Sequence, residues 1–249
     1  MGKPIPLNDI PTLPPKDMTE LAVKKETKKL LEKLSDIQNK LFAQKRFSVL
    51  IILQGMDTSG KDSAVKHVFS GVNPASCNVR SFKVPTEEEA SHHFLWRISK
   101  ECPAKGFMQI FNRSHYEEVL SPAVNKAIEA EKVKEYCEEM NDFERSLTRH
   151  NTIIFKFYLH VSHAVQVKRL RARKRSKNKR WKYQKADIIT IREHGKYVKA
   201  YETIFKYCNS PVKWRVIPAD IKWYKNYLIL RSIINELKKY PIHYPNIKL

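Results

Sequence analysis

Phe47-Ser48-Val49-Leu50-Ile51-Ile52-Leu53-Gln54 runs without a break into Gly55-Met56-Asp57-Thr58-Ser59-Gly60-Lys61-Asp62. The first half is continuously apolar and rich in β-branched residues, the pattern of a strand buried on both faces of a parallel sheet. The second half has the G-x-x-x-x-G-K skeleton, and a helical stretch, Lys61–Ser70, follows it. Strand, glycine turn and helix in that order make a phosphate-binding loop. The glycines let backbone N–H groups turn inward around phosphate oxygens. The helix N-terminus adds a partial positive charge and Lys61 a full one. On this reading Gly55, Thr58, Ser59, Gly60 and Lys61 line the phosphate.

Two residues depart from the common pattern. Asp62 stands after the lysine, where Ser or Thr usually offers a hydroxyl to magnesium, and Asp57 lies inside the loop. Anions in a phosphate cradle repel it: two like charges ~4 Å apart cost about 4 kcal/mol at an effective dielectric of 20. A divalent cation shared by Asp57, Asp62 and the phosphate oxygens removes that cost, and Mg²⁺ binds in this way. The plainer alternative makes Asp57 a turn former and Asp62 a first-turn helix acid.

Outward from the loop, short apolar runs recur at Cys77–Phe82, Phe107–Phe111, Thr152–Leu159 and Val212–Ile217. Helical stretches separate them at Glu87–Lys100, Ala130–Arg149 and Ala164–Arg175, and a last one covers Ile221–Lys239. Strands alternating with helices predict a doubly wound α/β domain with a parallel sheet. Before the loop, Met18 to Ala43 carries Leu30, Leu34, Ile37 and Leu41 at helical spacing. Residues 1–17 hold Pro4, Pro6, Pro11, Pro14 and Pro15 and read as an extended, non-helical arm. No repeat or composition shift divides residues 18–249, which read as a single domain.

The chain has 249 residues, with 47 Lys and Arg against 26 Asp and Glu, a formal charge of +21. That field selects polyanionic partners: a phosphate substrate, nucleic acid or an acidic membrane surface. Cys77, Cys102, Cys137 and Cys208 form no CxxC pair, which argues against a zinc or redox motif and suits a reducing cytosol. The longest apolar run, Val49 to Leu53, is far too short for a membrane span. Pro6 stands where a myristoylation signal at Gly2 would want Ser or Thr. The expected location is cytoplasmic.

The third strand delivers Phe111-Asn112-Arg113-Ser114-His115-Tyr116-Glu117-Glu118-Val119-Leu120. Together with the Gly55–Asp62 loop, this segment resembles the polyphosphate kinase 2 family. The likeness continues through His67 and Gly71-Val72-Asn73-Pro74, Ser81-Phe82-Lys83-Val84-Pro85, Phe94-Leu95-Trp96-Arg97 and Asn151–His160. It then takes in Arg169, Arg173, Trp181 and Lys182, and finally Val216–Asp220 with Lys222 and Trp223. The resemblance implies an α/β, P-loop kinase-like three-layer sandwich with a central parallel sheet and a helical lid. It also implies transfer of phosphoryl groups between inorganic polyphosphate and purine nucleotides with Mg²⁺, or Mn²⁺ in its place, in dimers or tetramers. By position, Asp57 is expected to orient or deprotonate the acceptor phosphate and to share the metal with Asp62, Glu117 and Glu118. Arg113 is expected to clamp phosphate. Asn73, His115 and Tyr116 are candidate nucleotide or phosphate contacts. Glu118 stands where the family usually has Asp.

Residues 168–182 contain ten cationic side chains and no acid, at the place where such folds carry a lid, about 165–190. Arg169 and Arg173 are expected to neutralise the transferring group, with Lys182 on phosphate. The family's mid-lid acids are replaced here by Lys174, Arg175, Ser176 and Lys177. Lys24, Lys28, Lys66 and Lys83 either guide a polyphosphate chain or are ordinary surface lysines. Two other functions share some of these features. An ATP-dependent nucleoside monophosphate kinase would have the loop and lid but would need neither the charge nor the 111–120 segment. A nucleic-acid-binding protein would use the charge, but no helix-turn-helix, RNP or zinc pattern is present.

Overall fold

β1 (Ser48–Gln54) is buried at every position, and its alternate residues face two different cores. Val49, Ile51 and Leu53 enter one apolar cluster, and Leu50 and Ile52 the other, as a side-chain period of two requires. The computed structural model describes residues 6–125 and 127–246, with the backbone alone at 185 and 186. In it β2 (Cys77–Ser81), β3 (Met108–Asn112), β4 (Thr152–His160) and β5 (Trp214–Pro218) complete one sheet. The order is β2-β3-β1-β4-β5, and every pairing is parallel. Val49 lies in register with Met108 on one side and Ile153 on the other.

The helices in chain order are α1 (Glu20–Gln44), α2 (Lys61–Val68), α3 (Glu87–Ser91), α4 (Trp96–Ser99) and α5 (Glu117–Val124). They continue as α6 (Ala130–Arg149), α7 (His163–Arg175), α8 (Lys185–Arg192), α9 (His194–Tyr207) and α10 (Lys222–Leu237). Leu30, Leu34 and Leu41 of α1 pack with Val68 of α2 and Leu230 and Ile233 of α10 on one face of the sheet. Leu120 of α5, Met140 of α6 and Phe205 of α9 cover the other. Each fully buried Leu or Phe contributes about 1.5–3 kcal/mol, so both helical layers are held by their apolar stripes. The result is the three-layer α/β sandwich that the sequence predicts.

Three local features differ from expectation. The stretch Glu87–Lys100 is two short helices, not one. Thr86 and Glu89 start α3 with a capping box, and the chain becomes extended at His92. There His92 stacks on Trp96, and Arg97 turns inward to the Lys83 carbonyl. The arm, of which residues 1–5 lie outside the described residues, contains one 3-10 turn at Leu7–Asp9 between Pro6 and Pro11. Leu7 is fully buried, its N–H donates to Glu202, and Thr12 bonds Asp220. Finally, α5 and α9 form where no helix is expected, and α8 completes the lid.

Candidate active site

The loop leaves the carboxyl end of β1, between β3 and β4, where the strand order reverses. In open parallel sheets this is the place for a ligand crevice. Gly55 is required by space: a Cβ there would lie 2.8 Å from Ser59 Oγ and 2.9 Å from the Leu159 carbonyl. Ser59 Oγ is itself buried without a hydrogen-bond partner among the described residues. Thr58 (φ 64°) and Arg113 (φ 65°) both have left-handed backbone. For non-glycine residues such strain costs of order 1–3 kcal/mol and gathers at functional sites.

Charges converge here from three elements. Arg113, after β3, donates to Asp57 Oδ1 at 2.8 Å, and Thr190 of α8 donates to Asp57 Oδ2 at 3.0 Å. Lys61 curls back over the loop onto the carbonyls of Gly55 and Met56, at 3.2 Å in the second case. Burial and then repulsion from Arg113 depress Lys61 to about 8, against the pull of Asp57 and Glu117. Burial would raise the Asp57 carboxyl, but Lys61 and Arg113 outweigh it and hold the group below its ordinary range. Burial raises Glu117 despite the same two cations. With its amide nitrogen turned to Glu117, Gln54 donates to it at 3.0 Å and accepts from Ser114.

The lid reaches down onto both loop carboxylates. Thr190 holds Asp57, and Lys182 donates to Asp62 at 2.6 Å, with Asn112 on the other Asp62 oxygen at 2.9 Å. Burial opposes ionisation of Asp62, but these hydrogen bonds and Lys182 bring its carboxyl below the usual range. Within the lid, Arg173 donates to Asp187 at 2.9 Å and to the Lys182 carbonyl at 3.3 Å. Asp57, Lys61, Asp62, Arg113, Glu117 and Lys182 thus meet at one crevice.

Several expected contacts lie elsewhere. Glu118 turns away to the buried Arg97 at 2.8 Å, because neighbouring residues at a helix start point in different directions. His115 and Tyr116 are fully buried in the core, where the Tyr116 hydroxyl donates to Glu144 at 2.6 Å, so neither faces phosphate. Asn73 caps the turn before β2, at the amino edge of the sheet, and the phosphate loop is at the carboxyl edge. Arg169 is fully engaged with backbone: it donates to the carbonyls of Thr58, Ser59, Ala219 and Asp220 at 2.8–3.2 Å. Its position is that of a strut behind the loop. Lys66 and Lys83 are exposed, the first on α2 and the second just beyond β2. Thr190, Gln54 and Lys225, whose Nζ donates to the Gly60 carbonyl, belong to the site but carry no motif of their own.

Among the described residues no three His, Cys, Asp or Glu side chains gather into a metal cluster. Asp57, Asp62 and Glu117 are hard oxygen donors, and Mg²⁺ is commonly held by one or two carboxylates with phosphate and water completing its shell. The donor set fits an ion shared with substrate phosphates, and does not fit an all-protein cage. The protein residues available to it are Asp57, Asp62 and Glu117, without Glu118. No helix among the described residues is long and apolar enough to cross a membrane.

The profile of the family described as Polyphosphate kinase 2 (PPK2) matches residues 18–244. An AMP/ADP-polyphosphate phosphotransferase of Meiothermus ruber is 38% identical over 217 residues, covering 87% of this chain and 81% of the relative. An ADP-polyphosphate phosphotransferase of Rhodopseudomonas palustris is 37% identical over 229 residues, covering 86% and 79%. The crystal structure of polyphosphate kinase 2 from Arthrobacter aurescens superposes with a TM-score of 0.95 at 33% identity, over 100% of this chain and 90% of that one. With its loop, its Arg113–Asp57 pair and its lid in the places described, this chain belongs to the polyphosphate kinase 2 family.

Proposed function

We propose that the protein transfers phosphoryl groups, reversibly, between inorganic polyphosphate and purine nucleoside di- and monophosphates. The observation that carries this reading is the meeting of Asp57, Lys61 and Arg113 at the loop mouth, with lid residues directly on both loop carboxylates. In the forward direction a terminal P–O bond of the polyphosphate breaks as an acceptor phosphate oxygen forms a new one. Such transfer is mostly positioning and stabilisation of charge on the equatorial oxygens. Lys61 and Arg113 supply that charge from a site where burial strengthens it.

Asp57 suits orientation better than proton removal. Its carboxyl is held below the ordinary range, and an acceptor phosphate is largely ionised at neutral pH already. One or two of the carboxylates Asp57, Asp62 and Glu117, together with substrate oxygens, would hold Mg²⁺, which would supply further neutralisation. The lid excludes water that would otherwise take the phosphoryl group.

The test offers long-chain polyphosphate as sole donor with ADP and AMP separately, and resolves the products by chromatography. ATP from ADP is expected, and ADP from AMP. Absence of product from both acceptors overturns the assignment.

A further inference from the structure

The motif Gly55–Lys61 does not account for the two cations behind it. Arg169 of α7 takes the Thr58 and Ser59 carbonyls, and Lys225 of α10 joins the Ala64 amide on the Gly60 carbonyl, the two donors lying at 2.8 and 2.9 Å. A trans peptide unit sets its C=O and N–H on opposite sides. Fixing the Ser59 and Gly60 carbonyls therefore fixes the direction of the Gly60 and Lys61 amides at the start of α2. Lys225 is 1% exposed and sits so close that a Cβ on Gly60 would meet its Nζ at 2.7 Å. From these contacts we infer that Lys225 is a positioning residue, bracing the Gly60 carbonyl together with the Ala64 amide so that the Lys61 amide presents to a bound polyphosphate end.

The surroundings of Lys225 argue for an anion as its purpose. The charged groups acting on it are Arg169 of α7 and Lys222 of its own helix, both cations. The neighbouring acids are bonded elsewhere: Asp62 to Asn112 and Lys182, and Asp220 to Thr12 and Ser162. Burial and then those two cations push the Lys225 amine down to about 7. A buried lysine beside other cations, with one carbonyl as its partner among the described residues, is unfavourable for the fold alone. An arriving phosphate chain offsets it. Because the folded-state value is depressed to about 7, the amine is charged below that pH and neutral above it, so its help to phosphate fades as pH rises through 7.

This inference rests on the polyphosphate reading, and the experiment separates the two. Binding of inorganic tripolyphosphate is measured by calorimetry for wild type, Lys225→Met and Lys225→Arg at pH 6 and pH 8, with thermal melting alongside. For Lys225→Met, affinity at pH 6 is expected to fall about tenfold, with a smaller loss at pH 8. Its melting temperature should be unchanged or raised, since an unfavourable buried charge is gone. Lys225→Arg should bind like wild type at pH 6 and lose less affinity than wild type on going to pH 8. Equal affinity of Lys225→Met and wild type at pH 6 overturns the role of Lys225 while leaving the substrate reading intact. A wild type that binds no tripolyphosphate at either pH overturns both.

Discussion

Asp62, in the first turn of α2, and Lys182, in the lid, meet at 2.6 Å although 120 positions separate them in the chain. The two side chains are 63% and 38% exposed, so solvent screens the pair, and such pairs are worth only about 0.2–1 kcal/mol. Thr190 on Asp57 is the second point of contact. The 182–190 end of the lid, which meets the carboxylates through these modest contacts, can be displaced by substrate phosphate competing with Asp62 for Lys182.

Lys182→Ala should therefore loosen the lid without unfolding the protein. Limited proteolysis in the 176–184 segment is expected to accelerate several-fold, with a melting temperature within about 2 °C of wild type. Asp62→Asn should do the same, and the double variant should add little. Full additivity of the two effects would show that the pair is not a latch.

Asp57→Asn and Lys61→Ala remove charge from the loop without touching either core. Each should lower kcat by at least about 10²-fold, the scale for losing one preorganised group that stabilises the transition state. Circular dichroism should be unchanged. Near-normal turnover by either variant would rule out the Asp57–Lys61–Arg113 constellation as the reaction centre.

Arg169 and Arg173 look alike in sequence but sit in different surroundings. Arg169→Ala strips four backbone carbonyls of a charged donor and should cost ~2–4 kcal/mol, lowering the melting temperature by about 5–10 °C. Arg173→Ala breaks one pair inside the lid, with Asp187, and should slow turnover strongly with little change in melting. Unequal melting temperatures in this sense, read by calorimetry, check the distinction. Equal values would return Arg169 to the substrate side.

Local pattern explains what could be read without the fold. Strand β1, the loop and α2 are contiguous, and α6 keeps the bounds Ala130–Arg149 that its periodicity predicts. Val198, Tyr201 and Phe205 also lie at helical spacing on the buried face of α9, but no motif or strand next to them marks that stripe in the sequence. Glu117 and Glu118, and likewise Arg113, His115 and Tyr116, are contiguous in sequence and diverge in space, because a turn and a helix start send successive side chains to different faces. Thr190 and Lys225 approach the loop from 133 and 165 positions away, and only the packing of α8 and α10 brings them there.

The segment that holds Arg113 also anchors a buried ionic network, and its pH response is predictable. Lys156 donates to Glu144 at 2.8 Å, to the Tyr116 hydroxyl at 3.1 Å and to the Cys208 carbonyl at 2.8 Å, all without solvent exposure of Lys156 or Glu144. Glu144→Gln or Lys156→Met leaves the other charge buried and unpaired, which should cost ~3–5 kcal/mol, and replacing both with apolar residues should recover much of it. Burial pushes the His115 ring below its ordinary 6.5, outweighing the pull of Glu144. The unfolded chain then binds a proton at this residue that the folded one refuses, so stability falls as pH drops below about 6.5, by at most ~1.4 kcal/mol per pH unit. Burial would raise Glu144, but Lys156 and His115 bring it below its ordinary 4.5. Its contribution is complete above that pH and is lost as pH falls through the lower folded value. Urea unfolding at pH 8, 6 and 5 should therefore show a shallower acid decline for His115→Gln than for wild type, even though other histidines contribute to both. Identical slopes would mean that His115 takes up its proton in the folded state as readily as in the unfolded one, which its burial does not allow.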